Sequence, residues 1–196
     1  MAGSPLPFAL RPLGTALSSS VDGDSLTIVA GPRTDWFVDP GLGRAKLDAP
    51  GFVGATSGDF LFSARIEVEF AATFDAGVLA VWSDEQTWAK LCFEYSPDRE
   101  AMVVSVVTRT TSDDCNSTVV DGNAVWLRIA RIGRQFAFHA STDGALWRLV
   151  RHFALIDDEA IEVGFVAQSP LGEGCTATFS EIRFSSATLA DLRSGE

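Results

Sequence analysis

Apolar and polar residues alternate with a period of two along most of this chain, in short runs closed by tight turns, and helical periodicity is scarce. Successive side chains of a strand point to opposite faces, so such a pattern describes half-buried strands and excludes a helical bundle. The runs expected as strands are Phe60–Phe70, Gly77–Ser83, Trp88–Tyr95, Met102–Thr110, Val125–Ile132, Gln135–Ser141, Trp147–Phe153, Ile161–Gln168 and Cys175–Phe184, with weaker ones at Ser25–Ala30 and Trp36–Val38. Turn signals separate them: Asp84-Glu85, Pro97-Asp98, Asp121-Gly122, Gly133-Arg134 and Asp143-Gly144. Many short strands with tight connections predict an all-β sandwich or barrel. No repeat or linker divides the chain. The expectation is one domain over residues 1–196, with a core from about 24 to 186 and a short tail, 187–196, holding a short helix near Ala187–Arg193.

Hairpin register sorts the faces. A two-residue turn at Gly133-Arg134 sets Ile132 against Gln135 and Arg128 against His139. A second at Asp143-Gly144 extends the row to Arg148, leaving His139 between arginines on a wet outer face, with Ile129, Phe138 and Leu149 on the core side. Placing Ser96 opposite Ala101 sets Glu94 against Val103, Cys92 against Ser105, Lys90 against Val107 and Trp88 against Arg109. The other face of that pair then carries Ala89, Leu91, Phe93 and Tyr95 with Met102, Val104, Val106 and Thr108, and is expected to be core.

Fourteen Phe and five Trp against one Tyr predict a core rich in aromatic rings. The net charge of -11 argues against nucleic acid, because a phosphate-binding surface works through Lys and Arg, and against anionic membranes. The start, Met1-Ala2-Gly3-Ser4-Pro5-Leu6-Pro7-Phe8, lacks signal-peptide features, and no apolar run approaches the ~20 residues of a membrane helix. Cys92, Cys115 and Cys175 are odd in number and widely spaced, which fits reduced thiols and a cytoplasmic residence. Asn116-Ser117-Thr118 fits a glycosylation sequon that this compartment leaves unused.

Several ordered segments resemble a known family. They are Asp75-Ala76-Gly77-Val78-Leu79, Trp88-Ala89-Lys90-Leu91-Cys92-Phe93-Glu94-Tyr95, Ser105-Val106-Val107-Thr108, Ser112-Asp113-Asp114, Ser141-Thr142-Asp143-Gly144 with Trp147, and Gln168-Ser169-Pro170. Together they are similar to the uncharacterised "regulation of enolase protein 1-like" domains (domain of unknown function 1349) of the concanavalin A-like lectin/glucanase superfamily. The resemblance spans about Trp36 to Phe184 and implies a jelly-roll sandwich of two antiparallel sheets with a concave face. It implies no particular reaction. Members of the wider superfamily bind or cleave glycans on the concave face, which makes Lys90, Glu94 and Ser105 the expected groove floor, with Gln168 joining from another strand.

Catalytic motifs are missing. Retaining glucanases of this superfamily carry Glu-x-Asp-x-x-Glu, which aims two carboxyl groups into the groove, and no Glu-x-Asp pair occurs here. His139 and His152 are too few for a three-histidine zinc site, and no local motif supplies a base to a serine or cysteine nucleophile. The acidic clusters Asp113-Asp114 and Asp157-Asp158-Glu159 are weighed as calcium ligands, with solvated turns as the default, so no metal or cofactor is expected. The leading expectation is a non-catalytic domain that binds a carbohydrate or similar polar molecule. In it Trp88 stacks, while Lys90, Glu94, Ser105, Arg109 and Gln168 hydrogen-bond. The alternatives are a protein-interaction or regulatory module using sheet-edge aromatics, and an unrecognised glycan-active hydrolase or lyase using Glu94 with Lys90.

Overall fold

Two seven-stranded antiparallel sheets face one another across an aromatic core in a computed structural model that describes residues 6–155 and 160–196. The first sheet has the order β1 (Arg11–Leu13), β6 (Gly51–Ser57), β15 (Ala160–Gln168), β8 (Ala76–Asp84), β9 (Thr87–Tyr95), β10 (Ala101–Arg109), β11 (Thr111–Val119). The second runs β14 (Arg148–Ala154), β13 (Gln135–Ser141), β12 (Ala124–Ile132), β7 (Phe60–Glu69), β16 (Cys175–Ser185), β3 (Ser25–Ala30), β2 (Ser18–Asp22). A separate hairpin pairs β4 (Trp36–Val38) with β5 (Ala45–Leu47). This is the expected jelly-roll sandwich. Its strands begin at Arg11, well ahead of residue 24, and no described residue is helical.

The alternation works as expected on β7, Phe60–Glu69. Phe60, Phe62, Ala64, Ile66 and Val68 are fully buried, and the residues between them are half-exposed. They meet Leu79, Leu91, Phe93, Val103, Phe165 and Val163 of the first sheet in one cluster. Phe62 packs edge-on against Phe165 with centroids 5.2 Å apart. Each such ring removes roughly 150–250 Å² from water, so the sandwich is held mainly by apolar burial.

A second apolar cluster lies on the other side of the first sheet. Hairpin β4–β5 lays Trp36 and Val38 over Val78, Ala80, Trp88, Cys92, Val104 and Val106. Trp36 touches both Trp82 and Trp88, at centroid distances of 5.0 and 5.9 Å, and its indole N–H donates to the Ala49 carbonyl at 2.9 Å. Strands β8, β9 and β10 are therefore covered on both faces, which explains their nearly unbroken apolar runs.

The expected pairing of Arg128 with His139 is present, but the rest of that row is not. The loop Thr142–Trp147 is longer than a two-residue turn, and a bulge between Phe138 and His139 sets His139 against Leu149 and Arg148 against Ala140. Nor is this face solvated. The C-terminal segment folds over it, with His139 Nε2 donating to the Leu192 carbonyl at 2.7 Å and Arg128 to the Gly195 carbonyl at 2.7 Å. Burial, with the Arg128 charge beside it, holds the His139 imidazole down at about 4, although its bond to Leu192 opposes this. The helix expected near Ala187–Arg193 is replaced by turns, closed by local bonds such as Arg193 N–H to Asp191 Oδ1 and Gly195 N–H to Asp191 O, and tied to the sheet through the Leu192 and Gly195 carbonyls.

Candidate functional site

The outer face of the first sheet is organised in rows of directly paired residues. One row runs Gly164, Ala80, Lys90, Val106, Asp114, and another runs Gln168, Ala76, Glu94, Met102. The small side chains of Ala76 and Ala80 on β8 let Lys90 reach across that strand. Its Nζ donates to Gln168 Oε1 at 2.9 Å and lies 3.4 Å from Asp35 Oδ1. Asp35 stands just before hairpin β4–β5 and is placed there by its neighbours. Thr34 bridges to Ser169, while the Asp35 amide donates to Asp48 Oδ1.

The loop after β15 is fixed by a buried pair. Ser169 Oγ donates to Asp75 Oδ1 at 2.6 Å, and Asp75 also accepts the amides of Ala71 and Ala72. Gly172 packs so closely that a Cβ there would lie 2.5 Å from Ser169 Oγ. These contacts hold Gln168 and Pro170 beside Phe74, whose carbonyl accepts from Gln168 Nε2 at 3.3 Å.

What hairpin and loop leave uncovered is a cavity of about 120 Å³ lined by Asp35, Phe37, Phe74, Lys90, Glu94, Val106, Asp114, Gln168 and Pro170. Lys90 is 2% exposed, and burial alone would lower its pKa. The Asp35 carboxylate and its bond to the ammonium outweigh that, with Cys92 and Glu94 adding to the rise once they ionise at alkaline pH, so it is held as an ammonium rather than as a nucleophilic amine. Glu94 is half-buried at the cavity, and its carboxyl makes no hydrogen bond among the described residues. Burial pushes its carboxyl up to about 8 against the pull of Lys90, with Asp114 and Asp35 adding to the rise. At neutral pH it is therefore a carboxylic acid, able to donate as well as accept. Burial also raises Asp114, opposed by Lys90, a bond from the Cys115 amide and Arg151.

Three of the expected contacts are corrected. The loop after β9 holds five residues, because Ser96 N–H donates to Glu100 O and Arg99 takes a left-handed conformation at φ 64. Tyr95, not Ser96, therefore pairs with Ala101, and the one-residue shift turns β10 over. Ser105 faces the inter-sheet core with Leu91 and Cys115 for neighbours, while Val104, Val106 and Thr108 take the outer face. Arg109 reaches the Ala154 carbonyl on the second sheet instead. Trp88 is on the outer face but is fully buried under Trp36, so no ring of it is open for stacking. Lys90, Glu94 and Gln168 do come together.

Asp35, Phe37, Phe74, Asp114 and Pro170 were missed. The signal for Asp114 was alternation along Ser112-Asp113-Asp114, which sends Asp114 and Asp113 to opposite faces. Asp113 instead meets Arg151 at 3.1 Å, so this acidic pair does not converge on a cation. Among the described residues no group of three His, Cys, Asp or Glu side chains is placed to hold a metal ion. The other calcium candidate, Asp157-Asp158-Glu159, lies outside the described residues.

A family model described as protein of unknown function (DUF1349) matches residues 15–187. The chain belongs to that family. No curated protein matches this DUF1349 chain. Among solved structures, a functionally unknown protein from Saccharomyces cerevisiae is 24% identical with a TM-score of 0.85, over 95% of this chain and all of that one. A xylan beta-1,4-xylosidase from Bacillus halodurans C-125 aligns at 13% identity and TM-score 0.68, over 83% of this chain but 33% of that enzyme. The carbohydrate binding module CBM66 from Bacillus subtilis aligns at 16% identity and TM-score 0.58, over 90% of this chain and 95% of the module. At these identities the likeness establishes the sandwich fold. No described helix is long and apolar enough to cross a membrane.

Proposed function

We propose that this DUF1349 sandwich is a single, non-catalytic binding domain that takes a small polar molecule, most naturally a carbohydrate, in the Lys90–Glu94 cavity, and that it works in the cytoplasm. One observation carries the reading. The buried ammonium of Lys90 has three N–H donors, spends two on Asp35 and Gln168, and faces a cavity with the third. A ligand hydroxyl would satisfy it, while the unpartnered Glu94 carboxyl would both donate and accept. Phe37, Phe74 and Pro170 provide the apolar wall that the C–H face of a sugar ring requires. The size and fold of the CBM66 module support the same reading.

The test is a thermal-shift screen of the whole chain against neutral monosaccharides and oligosaccharides, repeated with Glu94→Ala, which removes both the donor and the acceptor. A stabilising sugar whose shift falls by half or more in the variant supports the proposal. A shift that the variant leaves unchanged places binding elsewhere and defeats it. The protonated Glu94 favours a second reading, a glycan-active hydrolase or lyase with that residue as general acid. Release of reducing sugar from a stabilising oligosaccharide, abolished by Glu94→Gln, would replace the first reading with this one.

A further inference from the structure

We infer that the cavity takes one neutral sugar unit at a time, a free monosaccharide or the end of a chain, and not an internal stretch of glycan. The inference rests on the carbohydrate reading and narrows it. A glycan lying along a sheet needs a continuous open floor, and here the floor is covered. Val78, Ala80, Trp88, Cys92 and Val104 are each no more than 1% exposed because Trp36 and Val38 rest on them. The hairpin that carries these two is fastened at both ends. Thr34 bridges to Ser169 on one side, and on the other the Val38 amide donates to Ser112 Oγ at 2.9 Å, itself bonded to Thr108. Across the cavity, Phe74 and Pro170 form the opposing wall, held by Gln168 and by the buried Asp75–Ser169 bond. The space between is about 120 Å³, well under the ~300–1,000 Å³ of sites for larger ligands.

Charge sets the second half of the class. Two carboxylates, Asp35 and Asp114, and the uncharged Glu94 acid line the cavity with the single cation Lys90, which already faces Asp35. A phosphate or carboxylate on the ligand would enter a site without a free counter-charge, in a chain of net charge -11. Hydroxyl groups meet no such penalty, since carboxylates accept from them and Lys90 donates to them.

The experiment is calorimetric titration of the whole chain at pH 6.5 with glucose, xylose, arabinose and fructose, with cello- and xylo-oligosaccharides of two to six units, and with glucose 6-phosphate and glucuronate. The expected result is binding of at least one neutral monosaccharide, an affinity that changes less than threefold with chain length, and at least tenfold weaker binding of the anionic sugars. Asp114→Asn, an exposed position, should improve the anionic sugars by threefold or more. Affinity that climbs with each added unit would overturn the inference while leaving the carbohydrate reading in place. So would an anionic sugar that binds as well as the neutral one. Absence of binding by every neutral sugar would overturn both.

Discussion

Glu94→Gln should make the protein more stable at alkaline pH and leave it unchanged at acid pH. The folded chain keeps the Glu94 proton to about pH 8, whereas an ordinary glutamic acid releases it near 4.5. Between those values the native state binds more protons than the unfolded chain, so this group makes stability fall as pH rises, the reverse of a salt-bridged carboxylate. At about 1.4 kcal/mol per pH unit the full interval sets a ceiling near 5 kcal/mol. Solvent at the cavity mouth screens a half-buried group, so about 2–4 kcal/mol is the expected loss by pH 9. The neighbours that face Glu94 do not cancel it. Lys90 and Cys92 both have raised pKa values and hold their protons further into the alkaline range. Asp114 is also raised, so it titrates in the same direction but in both proteins alike. Glutamine keeps the shape and the donor of the protonated acid without the titration. Urea unfolding of both proteins at pH 5, 7 and 9 gives the comparison. The curves should coincide at pH 5 and separate by 2 kcal/mol or more at pH 9. Parallel behaviour across the whole range would refute the idea of a protonated Glu94, and with it the donor role assigned to that residue.

Trp36→Ala should cost about 3–5 kcal/mol, because it opens a void between Trp82 and Trp88, and near-ultraviolet circular dichroism should report the loss of indole packing. Lys90→Met should cost a more modest 1–3 kcal/mol, since Asp35 keeps some solvent contact, yet weaken any sugar that binds by more than tenfold on titration. His139 should stay neutral in a proton-resonance titration down to about pH 5, well below the usual histidine range. Its folded pKa is depressed, so it favours unfolding as pH falls from 6.5 towards 4, by up to about 3 kcal/mol.

The parts of the fold that could be read from sequence are those whose two faces differ in polarity. On β7 and β12 the alternation names the core directly, and the tight turn at Gly133, with φ 56, fixes the pairing of Ile132 with Gln135. The polar edge strand β11 and the short β1, β2 and β5 escaped because they bury little and so carry no apolar period. Strand β10 failed for the opposite reason. In Ala-Met-Val-Val-Ser-Val-Val-Thr-Arg every position but the last is buried, so hydrophobicity is equally content with either face turned inward. Register then depended on one loop, and the left-handed Arg99 added the residue that moved Ser105 and Arg109 away from the site. The same runs did contain a usable clue. A sheet whose middle strands are apolar on both faces must be covered twice, and Trp36-Phe37-Val38 was an apolar segment without a place in either large sheet. That lid makes the site what it is: it hides Trp88 and brings Asp35 to Lys90. An open lectin-like floor is thereby reduced to one small polar cavity.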